Sequence, residues 1–222
     1  ITPQGGRTPY TYTWQKKSST SSNWSNISNS NNSNYTELTG LTENTDYRVV
    51  VSSADGCGSI TSSVQAIAVR DPLAAPTISV GQTICYDTDA TITRGNASGA
   101  DGNYVYEWQS STDNVTYSNL SNSLSSLNTG DLTQDTYFRV KVSNTLCGTQ
   151  AFSSSTLISV RDAISPGTIS VQDNQICYNS GTTLTYQGTT GGDGNYSIQW
   201  ESSNDGNNFA NISGATTSTL NT

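Results

Sequence analysis

The chain has 222 residues, a net charge of -8 and a sequence pI of about 4.2, and so acidic a surface repels phosphate backbones and anionic bilayers, which argues against nucleic-acid partners. It contains no histidine, so the commonest general acid–base group and the commonest zinc ligand are both missing, and the expectation is a protein that is not an enzyme. No segment approaches the ~20 apolar residues of a membrane-spanning helix, and evenly spaced Tyr, Trp, Val and Ile residues offer a core to a chain otherwise rich in Ser, Thr, Asn and Gly.

Self-similarity dominates the pattern. Tyr104-Val105-Tyr106-Glu107-Trp108-Gln109 recurs as Tyr196-Ser197-Ile198-Gln199-Trp200-Glu201 and, earlier, as Tyr10-Thr11-Tyr12-Thr13-Trp14-Gln15. The tryptophans are spaced 94 and 92 residues apart (14 to 108, 108 to 200). A module of this size suits one β-sandwich of about 100 residues. The reading is three units: 1–71, a partial repeat holding later strands; 72–163, a complete repeat; and 164–222, a partial repeat holding earlier strands. The repeat pattern is therefore expected to continue on both sides.

In chain order, each unit alternates with the period of a strand and never with that of a helix. The first unit runs from the Trp14 strand through a Ser/Thr/Asn-rich stretch, 18–34, read as an exposed loop with a small insertion. It then reaches Tyr47-Arg48-Val49 and a last strand around Ile67 and Val69. Leu41 to Tyr47 is read as a tyrosine corner, with the Tyr47 hydroxyl bonded to upstream backbone. In the middle unit an early strand is marked by Thr91, Ile92 and Thr93. The Trp108 strand lies between the turn sequences Asp101-Gly102-Asn103 and Asp113-Asn114, and Phe138, Val140 and Val142 alternate with Arg139 and Lys141. Ile158 and Val160 close the unit. The third unit repeats the early strand at Leu184 and Tyr186, the Trp200 strand, and an Asp205-Gly206 turn suited to a tight hairpin. The expected fold is all-β, in tandem immunoglobulin-like or fibronectin type III-like sandwiches, with Trp14, Trp108, Trp200, Tyr47 and Phe138 as structural core.

Four cysteines recur with the repeat, which implies structural disulfides in an oxidising compartment. Pairing of Cys85 with Cys147 inside one unit is the expected scheme, because each unit then folds without its neighbour. Cys57 and Cys177 would pair outside the chain. The alternative joins Cys57 to Cys85 and Cys147 to Cys177 across the junctions. In a simple seven-stranded sandwich Cys85 and Cys147 would lie near opposite poles, which counts against the first scheme.

Sharper readings compete with these. Asp101 and Asp113 flank the Trp strand as a glycosidase pair would, but both sit in turn sequences. Asp101 with Asn103 offers oxygen ligands for calcium without the full ligand series, so no cofactor is expected, calcium being the one candidate. Trp24 falls outside the one-per-repeat series and is the candidate exposed contact. Outward-facing Arg48 and Arg139 are expected to lay their stems along the sheet.

The run G-x-D-G-N-Y-x-Y-x-W, then N-I-S-G-A-T, then L-T-x-x-T-Y-x-R-V, then C-G and Q-x-I-C, resembles the SprB-type repeat of the giant cell-surface adhesins of gliding flavobacteria. Gly192 to Trp200 and Asn211 to Thr216 match best. The first unit diverges, with Gly5-Gly6-Arg7-Thr8-Pro9 before its Trp strand. The resemblance implies type IX secretion, display on the outer surface, contact with the gliding machinery, and adhesion to a substratum or surface polysaccharide. Alternatives are a passive stalk of an extracellular enzyme or lectin, or a carbohydrate-binding module.

Overall fold

The computed structural model describes residues 3–222 and is all-β, with no helix among the described residues. Two compact units are distinguished, one holding the chain to Pro72 together with Gly99–Asp101, the other Leu73–Ser98 together with Gly102–Thr222.

The first repeat contributes β1 (Tyr10–Ser18), β2 (Ser25–Asn26), β3 (Thr45–Ser53), β4 (Ser59–Thr61) and β5 (Gln65–Ile67). They form one sheet in the order β2-β1-β3-β4, with β5 also on β3. Tyr47, Val49 and Val51 bury one face of β3 while Arg48 and Val50 lie on the other, the period-two alternation of a strand with one covered face. Trp14 pairs with Val49 across the ladder but is only half-buried.

The middle repeat shows the whole architecture. Its strands are β6 (Gln82–Ile84), β7 (Thr91–Thr93), β8 (Val105–Ser111), β9 (Ser118–Asn119), β10 (Ser126–Asn128), β11 (Thr136–Asn144), β12 (Thr149–Phe152) and β13 (Thr156–Val160). One sheet has the order β6-β13-β11-β8-β9 with β12 on β11; the other pairs β10 with β7. Between them lie Ile92, Trp108, Leu127, Phe138, Val140 and Ile158, all in one cluster and at most 5% exposed. This core draws only on residues of the middle repeat, so the repeat closes on itself.

The opening segment makes the fold immunoglobulin-like. Ile78 bridges Arg94 beside β7, and the chain then crosses to the other sheet, where β6 runs parallel to β13. Gly81 sits at the crossing: a Cβ there would stand 2.1 Å from the Leu157 carbonyl oxygen, so only glycine lets the two backbones approach. The ladder beside β11 is also interrupted, since β12 and β13 are separated by Ser153-Ser154-Ser155. There the Val140 amide donates to Ser153 Oγ at 2.9 Å, a hydroxyl taking the place of a ladder carbonyl. The first repeat has the same break, with the Val49 amide donating to Ser62 Oγ at 3.0 Å.

The third repeat holds β14 (Thr168–Val171), β15 (Thr183–Gln187), β16 (Glu201–Ser202), β17 (Ala210–Asn211) and β18 (Thr219–Asn221). They form the sheets β14-β15-β18 and β16-β17. Trp200 is 6% exposed.

Each core indole N–H is capped by a backbone carbonyl: Trp14 by Asn32 at 2.9 Å, Trp108 by Leu124 at 3.0 Å, Trp200 by Thr217 at 2.8 Å. A buried indole needs such a partner, as Trp108 and Trp200 show, and the same cap recurs on the half-buried Trp14.

The tyrosine corner takes another form than expected. Tyr47 donates its hydroxyl to the Glu37 carboxylate at 2.8 Å and not to upstream backbone. Phe138 occupies the equivalent position in the middle repeat, buried at 2% exposure and with no hydroxyl to place.

Candidate functional site

The outward face of the long-strand sheet carries one arrangement twice. In the middle repeat, Arg139 on β11 stacks its guanidinium 3.7 Å from the Tyr117 ring and 4.4 Å from the Phe152 ring. Its Nε donates to Gln109 Oε1 at 2.8 Å, and Gln109 Nε2 donates in turn to Asn119 Oδ1 at 2.7 Å. In the first repeat, Arg48 lies 4.1 Å from the Trp24 ring, its Nε donates to Gln15 Oε1 at 2.7 Å, and Gln15 Nε2 donates to Asn26 Oδ1 at 2.8 Å. The strand register produces this directly. Gln15 faces Arg48 and Asn26, and Gln109 faces Arg139 and Asn119, on adjacent strands.

Trp24 therefore has a place in the repeat. It immediately precedes β2, as Tyr117 precedes β9 and Phe209 precedes β17. It is half-buried beneath Arg48, with Lys17 Nζ at 5.5 Å, so the bare contact expected from sequence is a covered one. Tyr117 and Phe209 carry the signal that locates it: an aromatic one residue before the Ser-Asn or Ala-Asn pair. Phe209 is 60% exposed.

Ion pairs flank the face: Lys17 meets Asp46 at 2.8 Å and Lys141 meets Glu107 at 3.2 Å. On the opposite side of the first sheet, beside Tyr47, Lys16 meets Glu37 at 3.0 Å. Hydrogen bonds from Lys16, Tyr47 and Thr39 hold the Glu37 carboxyl at about 2, against an ordinary 4.5. The Lys17 ammonium and the Ser19 hydroxyl likewise lower Asp46. The face thus offers guanidinium, amide and aromatic groups already engaged with one another, with fixed charges at its margin. That chemistry suits many weak hydrogen bonds to a hydroxylated surface.

Other sequence candidates lie elsewhere. Asp113 accepts from Ser111 Oγ and from the amides of Val115 and Thr116, and these bonds hold its carboxyl well below the usual range. Asp101 precedes β8 and Asp113 follows it, and the strand between them has seven residues. At ~3.3 Å per residue that is roughly 20 Å of strand, well beyond the ~5–9.5 Å of a glycosidase pair. Among the described residues no three His, Cys, Asp or Glu side chains converge on a metal site. Trp108 and Trp200 are sealed inside and are not stacking platforms.

Neither cysteine pairing expected from sequence is formed in the structure. Cys57, Cys85, Cys147 and Cys177 are free and exposed. Cys85 follows β6 at the pole where β11 begins, and Cys147 lies in the turn where β11 ends, nine residues of strand away. Such a strand spans about 25–30 Å, whereas a disulfide needs Cα atoms within about 7 Å. Cys147 therefore lies at the pole where its repeat begins. Cys177 lies beyond β14, at the end of the third repeat away from the Ser165–Thr190 bridge. The junction scheme would have to span both repeats.

Among solved structures the chain aligns with the crystal structure of the N-terminal eight Ig domains of Down Syndrome Cell Adhesion Molecule (DSCAM) isoform 1.30.30. The identity is 10%, the alignment covers 96% of this chain and 32% of that one, and the TM-score is 0.32; the chain spans about a third of that structure's length. No curated protein matches the sequence. One family matches nearly the whole length, in consecutive segments 1–71, 74–162 and 165–222. The chain belongs to that family, described as a domain of unknown function, DUF8696.

Proposed function

We propose that this chain is a segment of a large, secreted, non-enzymatic cell-surface adhesin, in which the repeats act as a spacer and present a distributed adhesive face. The observation that carries the reading is the placement of the two chain ends in the middle repeat. The chain comes in beside the Ala74–Ser98 bridge and leaves from Val160 at the opposite pole, where β13 and β6 end together. A module threaded from pole to pole extends reach with every copy, by about 25–30 Å for strands of this length. The amide, guanidinium and aromatic face recurs with the module, so many weak contacts to a substratum or surface polysaccharide add through multivalency. The SprB-type resemblance supports the finer reading: export by type IX secretion and movement along the cell by the gliding machinery.

Beads coated with the chain test the adhesive role. They should resist detachment by flow from polysaccharide films, soluble chain should release them, and moderate salt should matter little because the contacts are mostly uncharged. Coated beads that detach as readily as bare ones overturn adhesion and leave spacing alone.

A further inference from the structure

We infer that the two cysteine positions of the repeat form disulfides between consecutive repeats, the early cysteine of one with the late cysteine of the next, stapling the joint. The middle and third repeats show the path. The Arg161 amide donates to the Ile84 carbonyl at 2.9 Å, so the outgoing chain is pinned one residue from Cys85. The very next residue, Asp162, accepts from the Gly192 amide at 2.9 Å, so it is already pinned to the incoming pole of the third repeat. Gly191 closes the same loop, since a Cβ there would stand 2.0 Å from the Ala163 carbonyl oxygen. Hydrogen bonds from Asn195 lower the Asp193 carboxyl, and the Arg161 charge across the junction adds to the shift. No slack separates the two poles.

The late cysteine belongs to that same incoming pole. In the middle repeat the Cys147 amide donates to Asn144 Oδ1 at 2.9 Å, while Asn144 Nδ2 donates to the Asn103 carbonyl at 2.7 Å. Asn103 is the counterpart of Asn195 in the Asp-Gly-Asn loop. Where a third repeat runs to completion, its late cysteine turn is therefore held beside the loop whose Gly192 bonds Asp162, the residue after the one pinned next to Cys85. Both positions are exposed turn tips, as a cross-link formed after folding requires. The same rule gives each of the four cysteines of this chain a partner position outside residues 1–222, so none of them pairs with another of the four, and all four are free here. Each bond forms when two thiols give up two protons and two electrons to a disulfide oxidant, itself reduced to two thiols.

Two measurements decide the matter. The 222-residue chain is treated with oxidised glutathione and mapped without reduction by mass spectrometry. All four cysteines should be found free or as glutathione adducts; a Cys85–Cys147, Cys57–Cys85 or Cys147–Cys177 link within one chain overturns the proposal. A second protein carries residues 70–160 followed by 70–163, a tandem of the repeat whose core closes on itself. After the same treatment it should hold one link, Cys85 of the first copy to Cys147 of the second, with the other two thiols free. A link inside either copy, or none in a protein whose Trp108 emission shows a buried indole, overturns it. If the tandem does not fold, the first map still decides between this pairing and the in-chain ones.

Discussion

The Val140 amide donates to the hydroxyl of Ser153 at 2.9 Å, and Ser153 returns its own amide to the Val140 carbonyl at 2.9 Å. A side chain has replaced backbone at the break between β12 and β13, and Val140 itself is fully buried. Ser153→Ala strands that amide in the core. A buried donor without a partner costs roughly 1–3 kcal/mol, so urea unfolding should show a loss of that size with an unchanged m-value. A loss below about 0.5 kcal/mol, the usual range for an exposed surface change, would show that the break contributes little.

Trp108 is fully buried with its N–H bonded to the Leu124 carbonyl. Trp108→Ala should cost about 3–5 kcal/mol, the range for deleting a large core aromatic. Trp14 is only half-buried in its sheet, so Trp14→Ala should cost less in the same chain. Equal effects on the two unfolding curves would contradict the difference in packing.

The local signals in the sequence were enough for most of the strands. The Tyr-x-Tyr-x-Trp alternation, the Asp-Gly turns and the Phe138-Arg139-Val140 alternation each depend on neighbours within a few residues; the Trp14 and Trp108 strands appear where the pattern places them, whereas in the third repeat no strand forms over 196–200 and β16 begins only at Glu201. What stayed hidden depends on register between strands. Ser153 gains its role only because β11 carries Val140 opposite a break. Trp24 is covered only because Arg48 pairs with Gln15 across β1 and β3. The cysteines pointed the wrong way for the same reason: equal spacing along the chain does not say which pole a turn occupies, and the parallel pairing of β6 with β13 decides it.

Arg139 stacked on Tyr117 should register as a coupling and not merely as two separate contacts. A double-mutant cycle with Arg139→Ala and Tyr117→Ala, read by urea unfolding, should give about 0.5–1 kcal/mol of interaction, the magnitude of an exposed cation–π pair. Arg139→Lys keeps the charge but loses the planar stack and the bond to Gln109, so it should recover less than half of the coupling. Additive single mutants would mean that the stack is geometric only.

Glu37 gives the first repeat a defined sensitivity to acid. Its carboxyl is held at about 2 by hydrogen bonds from Lys16, Tyr47 and Thr39, below its ordinary 4.5. A folded-state value below the unfolded one means that the unfolded chain takes up the proton first as pH falls, so protonation favours unfolding. The stabilisation is fully present above about 4.5 and is lost as pH falls from there through about 2. Glu37→Gln removes the titrating group while keeping an acceptor for the Tyr47 hydroxyl. The variant should melt lower than the parent at pH 6, and the gap should close between pH 4.5 and pH 2. A gap that stays constant across that window would show that Glu37 acts through shape and not through its charge.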